Sequence, residues 1–151
     1  MKLNLGCSDR HFPGYTNVDI SGPADLIADL NATWPWGDSS VDEIRAWDII
    51  EHLRSPIHTM NEAFRVLKPR GIFDIEVPTT DGRGWAQDPG HICWPPWNRN
   101  SFFYYEFGNA HLTRFAPANG VRCSFRIMKE DERMLADRVS KLRIILEAVK
   151  G

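Results

Sequence analysis

Residues 3–19 read LNLGCSDRHFPGYTNVD, two short apolar strands joined by a link too short for a crossover helix. The first strand runs into Gly6-Cys7-Ser8, and the second closes on Asp19. About seven residues, 9–15, connect them, whereas a helical crossover between parallel strands takes a dozen or more. Fully extended, seven residues span roughly 23 Å. That reach suffices to return along a strand of about 17 Å and step across by one strand spacing, so parallel pairing without a helix is allowed. A glycine at a strand's carboxyl end lets a ligand approach the backbone, and an acid ending the next strand can accept hydrogen bonds from a ribose diol. The same residues also read as strand, turn and strand with no ligand.

Further along, residues 25–28, 42–47 and 72–77 carry apolar side chains at alternate positions and end near Gly, Pro, Asp or Ser, as strands do. Residues 56–67 read as a helix: Ser55 stands at the N-cap, Pro56 at the first helical position, and Ile57, Met60, Phe64 and Leu67 share a face. Pro69-Arg70-Gly71 reads as its stop, giving a right-handed strand, helix, strand crossover. Residues 121–129 and 142–149 alternate again, and the charged segment 130–141 reads as their connection. The expected fold is α/β, a seven-stranded, mostly parallel sheet in one domain, 1–151. An antiparallel α+β sheet is the competing architecture. One face of the expected sheet carries Lys2, Asn4, Asn17, Asp19, Glu43, Arg45, Asp74 and Glu76. Strands covered on both sides are apolar on both, so part of this face should meet solvent or pack on a second copy as a homodimer.

Cys7, Cys93 and Cys123 lack C-x-x-C spacing and suggest neither a zinc site nor a disulfide framework. A net charge of −2, spread along the chain, offers no footprint for nucleic acid or an anionic membrane. With no apolar stretch of spanning length and a strand starting next to Met1, the expected location is the cytoplasm.

In an open parallel sheet, ligands sit beyond the carboxyl ends of the strands. The residues expected there are Gly6-Cys7-Ser8, Asp19-Ile20, Asp29-Leu30, Trp47-Asp48 and Pro78-Thr79. Asp19 would take ribose hydroxyls and Asp29 an adenine amino group, while backbone near Gly6 and Trp47 could hold a small zwitterion. Either acid alone is as readily a turn or cap aspartate. His52, after the fourth strand, and His91, in Asp88-Pro89-Gly90-His91, are the candidate bases. Each also reads as a structural histidine. Asp88 and His91 could bind a substrate hydroxyl, a proton or a metal, but no third ligand stands nearby, so no metal is expected. Trp94 and the following Phe102-Phe103-Tyr104-Tyr105 read as a substrate wall or as a packed amphipathic helix.

Taken in order, LNLGCS at 3–8, PGYTNVD at 13–19, WPWGDSSVDEI at 34–44, EHL at 51–53, RVLKPRG at 65–71 and IEVP at 75–78 resemble the class I S-adenosylmethionine-dependent methyltransferases, in particular their short type 11-like members. The resemblance covers roughly the first 80 residues. It implies a Rossmann-like sheet with an antiparallel last strand, no helix between strands 1 and 2, and a substrate-side insertion at 79–110. Carried over, Leu5, Gly6, Cys7 and Ser8 would contact the methionine part, Asp19 and Ile20 the ribose, and Asp29 and Leu30 the adenine. Trp47 and Asp48 would close the site. Ser8 departs from the glycine of that pattern, as Arg70 does from the first glycine of P-G-G and Asp48 from a small polar residue. Where such a position needs positive φ, a side chain costs energy. The expected function is methyl transfer from S-adenosylmethionine to a small molecule or an exposed polar group. The alternative is a cofactor-binding partner module with weak or no catalysis. A nicotinamide enzyme would need G-x-G-x-x-G, which is absent.

Overall fold

The computed structural model describes the backbone of residues 1–151 and every side chain except that of His111. Seven strands form one sheet: β1 (Lys2–Leu5), β2 (Thr16–Asp19), β3 (Leu26–Ile27), β4 (Val41–Trp47), β5 (Leu67–Pro78), β6 (Phe125–Met134) and β7 (Ser140–Ala148). Their spatial order is β3-β2-β1-β4-β5-β7-β6. β1 to β5 run parallel, and β7 lies antiparallel to both β5 and β6. The expected α/β sheet is therefore the observed one. The link between β1 and β2 contains no helix, and the strands still pair in parallel, Leu3 opposite Thr16 and Leu5 opposite Val18.

The longest helix, α1 (Pro56–Val66), crosses between β4 and β5. The Ser55 side chain accepts from the His58 N–H at 3.2 Å, satisfying one orphan donor of the first turn. Met60, Ala63 and Val66 bury one side of α1, and Leu3, Leu5, Ile44, Ala46, Phe73 and Ile75 bury the inner face of the sheet. The same core takes in Trp97, Phe102 and Tyr105 from the insertion after β5. Arg65 fastens the connection before β4 to α1, donating to the carbonyls of Trp34 and Trp36 at 3.0 and 2.9 Å and to Glu62 at 2.8 Å.

The outer face is polar, as its alternation requires, and the β1–β2 link covers part of it. Asn4 Nδ2 donates to Asn17 Oδ1 at 2.9 Å and to the Arg10 carbonyl at 2.8 Å, and Asn17 Oδ1 also accepts the Phe12 N–H at 2.9 Å. These two buried amides take the place of a crossover helix, anchoring the link by hydrogen bonds instead of apolar packing. Farther along this face the charges pair across strands. Arg143 donates to both oxygens of Asp74 at 3.1 and 2.9 Å, and Lys141 donates to both of Asp48 at 2.6 and 2.7 Å.

Three boundaries differ from expectation. β5 starts at Leu67, directly after α1, so Pro69-Arg70-Gly71 is an irregular part of a strand and not a stop. The register jumps there, from Val41 opposite Leu67 to Glu43 opposite Ile72, and Arg70 adopts φ of +66°. β6 runs from Phe125 to Met134 instead of 121–129, taking in residues that read as a charged connection. An edge strand with one wet face tolerates those charges. The insertion also runs past 110, to the start of β6, through the 3₁₀ turn Arg99–Tyr105 and the short helix Ala110–Phe115. No helix among the described residues is long and apolar enough to cross a membrane.

Candidate active site

Gly6 follows β1 with φ of +64°. A Cβ there would lie 2.6 Å from Cβ and Cγ1 of Ile49, so only glycine lets the turn close against the segment after β4. Ser8 follows with φ of +44°, the left-handed conformation that costs a side chain about 1 kcal/mol or more. Hydrogen bonds from the backbone hold the turn in place. The Ser8 N–H donates to Asp19 Oδ2 at 2.9 Å, and the Cys7 N–H donates to the Val18 carbonyl at 3.0 Å. Asp19 Oδ1 accepts the Ile20 N–H at 2.7 Å. A carboxylate offers roughly four acceptor positions, so Asp19 braces the glycine turn and keeps capacity for a ligand.

Beyond the strand ends lies a cleft of about 120 Å³ lined by Gly6, Asp19, Ile20, Asp29, Leu30, Ile49, His52 and Leu53, among others. Aliphatic walls flanked by two carboxylates suit a flat base joined to a diol, and the residues present therefore fit a nucleoside. Asp29 Oδ1 accepts the Asn31 N–H at 2.9 Å, which orients its carboxylate. A second cavity is larger, about 650 Å³, and lies between Pro56 at the start of α1 and Trp94, Trp97 and Tyr104 of the insertion. It has no carboxylate and shares no lining residue with the cleft. Of the two, only the smaller is lined by carboxylates.

Gly6, Asp19, Ile20, Asp29 and Leu30 all line this cleft at the strand ends. Leu5 and Cys7 are buried, and Ser8 contributes its backbone N–H. Trp47 and Asp48 do not close the cleft. The pleat turns Ala46 inward and Trp47 to the outer face, where its ring meets Phe12 at 5.9 Å and the Arg45 and Arg143 guanidiniums at 4.6 and 5.0 Å. Asp48, with φ of +54°, is held by Lys141. Ile49 and Leu53 take the places expected for these two, and as ordinary apolar residues after a strand they carried no sequence signal. Pro78 ends β5, and the buried Thr79 hydroxyl donates to Glu132 Oε1 at 2.8 Å, so this pair also lies outside the cleft. Trp94 is 77% exposed on the rim of the larger cavity. In the aromatic run, Phe102 and Tyr105 are buried, so the segment packs on the core, as a 3₁₀ turn.

The two candidate bases form one pair. Glu51 and His52 belong to the 3₁₀ turn Ile50–His52 after β4. The insertion docks on this turn through the Cys93 N–H, which donates to the Glu51 carbonyl at 3.1 Å. His52 Nδ1 lies 2.8 Å from the Gly90 carbonyl, and His91 Nδ1 lies 2.8 Å from the Trp85 carbonyl. The ring centroids are 4.9 Å apart. Asp88 Oδ1 caps the loop by accepting the Gly90 N–H at 2.7 Å, and its Oδ2 is 3.6 Å from His91 Nε2. Glu51 is 1% exposed, and burial pushes its carboxyl up to about 8, with the Asp48 charge adding to the effect. The expectation that nothing else near Asp88 and His91 could bind a metal is corrected: Glu51 and His52, just beyond the carboxyl end of β4, stand beside them.

Residues 10–75 match the family described as Methyltransferase domain. A probable S-adenosylmethionine-dependent methyltransferase of Mycolicibacterium smegmatis is 36% identical over 64 residues, which are 40% of this chain. The chain spans only 25% of that relative's length. Among solved structures, a SAM-dependent methyltransferase from Methanosarcina mazei superposes with a TM-score of 0.59 at 15% identity, covering 99% of this chain and 92% of that one. The 1,6-didemethyltoxoflavin-N1-methyltransferase of Burkholderia thailandensis, solved with S-adenosylhomocysteine, gives a TM-score of 0.62 at 12% identity over 99% of this chain and 71% of that one. At these identities the structural likeness shows the fold.

Proposed function

We propose that the chain, whose residues 10–75 match the family described as Methyltransferase domain, is a methyltransferase that binds S-adenosylmethionine in the cleft at the strand ends and transfers its methyl group. The observation that carries this is Asp19, braced by the glycine turn in a cleft that also presents Asp29. When bound, the cofactor supplies an electrophilic methyl on a positive sulfur, and in-line transfer asks the protein mainly for orientation. Asp19 would accept the ribose hydroxyls, and Asp29 would face the edge of the base. Ile20, Leu30 and Leu53 would wall the base, while the backbone at Gly6 and Ser8 would flank the methionine part. The cleft is smaller than an ordinary ligand pocket, so the cofactor would be held half-covered.

His52 would lie on the acceptor side of this arrangement. A carbonyl oxygen can only accept, so the Gly90 carbonyl fixes the proton on His52 Nδ1 and leaves Nε2 with its lone pair. A hydroxyl or amine acceptor placed there could lose its proton to Nε2 as it attacks. Asp88 and His91 would complete the acceptor side. The acceptor we propose is a small molecule or an exposed polar group.

Calorimetric titration of the intact chain with S-adenosylhomocysteine tests the reading. One equivalent should bind. Ser8→Gly should leave the affinity within about threefold, because the Ser8 backbone and not its side chain makes the tie to Asp19. Folded protein that gives no binding would overturn the proposal. The second reading, a partner module that binds cofactor without turnover, is favoured by the small volume of the cleft, about 120 Å³. Formation of S-adenosylhomocysteine from S-adenosylmethionine with an added acceptor would exclude it.

A further inference from the structure

We infer that Glu51, His52 and His91 form a binding site for one divalent transition-metal ion beside the cofactor cleft. One ligand atom from each of the three side chains lies within 4.8 Å of the other two. Around an ion bound at about 2.1 Å, ligand atoms sit roughly 3 to 3.5 Å apart, so side-chain rotations that move each atom by about 1 Å close the set.

Three features point to an ion instead of a chance cluster. First, both histidines turn Nδ1 to a backbone carbonyl, Gly90 for one and Trp85 for the other, each at 2.8 Å. In the neutral ring each Nε2 then carries the lone pair, with Asp88 Oδ2 3.6 Å from that of His91, and this backbone support is the arrangement that orients metal-bound imidazoles. Second, Glu51 is buried and its Oε2 has no hydrogen-bond partner. A buried carboxyl oxygen without a partner is costly, and an ion would satisfy it. Third, the loop is shaped to this geometry at Gly90, where a Cβ would lie 3.2 Å from His52 Nδ1 and 3.1 Å from Asp88 Oδ1.

The donor set names the class of ion. Two imidazole nitrogens and one carboxylate suit Zn²⁺, Mn²⁺, Fe²⁺ or Co²⁺, whereas Mg²⁺ and Ca²⁺ favour oxygen ligands alone. Three protein ligands leave coordination positions for solvent or an acceptor oxygen. His52 also lines the cofactor cleft, so such an oxygen would lie next to it. With the ion in place, His52 Nε2 is a ligand, and the ion itself lowers the pKa of the acceptor hydroxyl that His52 would otherwise deprotonate.

The test uses the intact chain, stripped with chelator and titrated with Co²⁺ under visible absorption. One equivalent should bind with the spectrum of protein-ligated cobalt, be displaced by Zn²⁺, and resist equal Mg²⁺. Glu51→Gln keeps the side-chain volume, and His91→Asn keeps a donor for the Trp85 carbonyl, so both variants should retain the wild-type far-UV spectrum. Each should weaken Co²⁺ binding at least about 100-fold, the scale on which even supporting residues of metal sites act. His58→Gln, on α1 and within 2.9 Å of the Ala32 carbonyl, should bind Co²⁺ as wild type does. Absence of the cobalt spectrum in the wild type, its survival in Glu51→Gln or His91→Asn, or its loss in His58→Gln would overturn the site. None of these results bears on S-adenosylhomocysteine titration, so the two proposals fail separately.

Discussion

Asp19→Ala should lower the affinity for S-adenosylhomocysteine at least about 100-fold while leaving the protein folded. Each hydrogen bond from a ribose hydroxyl to a carboxylate contributes about 1.5–3 kcal/mol, and two of them amount to that factor or more. The substitution also releases the Ser8 N–H, which donates to Asp19 Oδ2, so the glycine turn loses its brace to β2. The three donors freed by the change, the N–H groups of Ser8, Ile20 and Ser21, lie at an exposed edge where water can replace the carboxylate, and the cost in stability should stay at about 1 kcal/mol. Asp19→Asn keeps one acceptor oxygen and should fall between wild type and alanine. Calorimetry on the three proteins, with a thermal melt of each, separates loss of binding from loss of fold. Equal affinity in wild type and Asp19→Ala would show that the ribose lies elsewhere.

Gly6→Ala should destabilise the fold itself. The residue sits at φ of +64°, and a methyl group would meet Ile49 Cβ and Cγ1 at 2.6 Å. The left-handed conformation costs about 1–2 kcal/mol and overpacking about 1–3 kcal/mol more. The sum, roughly 2–5 kcal/mol, should lower the melting temperature by about 6–15 °C in a domain of this size. The clash is one part and the backbone strain the other, and Ile49→Ala in the same chain, which removes the contacts to Cγ1 and Cδ1 but keeps the one to Cβ, should recover only a fraction of the first part. A melting temperature for Gly6→Ala equal to wild type would mean that the turn after β1 is not closed by Ile49.

These two positions were legible in the sequence because local chemistry dictates them. A glycine where a strand turns sharply and an acid at the end of the next strand are short-range signals, and the length of the link between β1 and β2 bounds their geometry without any helix. The start of α1 was equally local: Ser55 and Pro56 mark it, and the structure puts Ser55 at the N-cap. What stayed hidden is non-local or depends on parity. Trp47 lies away from the cleft because the pleat of β4 sends alternate side chains to opposite faces, Ala46 inward and Trp47 outward, and Ile49 and Leu53 line the cleft instead. The charged residues of 130–134 looked like a connection, yet pairing with β7 at the sheet edge makes them strand. Pro69-Arg70-Gly71 looked like a stop, and a register irregularity against β4 absorbs it into β5. His52 and His91 were visible one at a time. Only the docking of Cys93 on Glu51 shows that they share a site with a buried carboxyl group.

A sheet without its first crossover helix is proposed to hold S-adenosylmethionine by Asp19, Asp29 and the glycine turn, and a crystal structure of the chain with S-adenosylhomocysteine decides whether it does. The ribose hydroxyls should lie within hydrogen-bond distance of the Asp19 carboxylate, with the adenine between Ile20 and Leu30 beside Asp29. S-adenosylhomocysteine seated instead in the 650 Å³ cavity between α1 and Trp94 would contradict that placement.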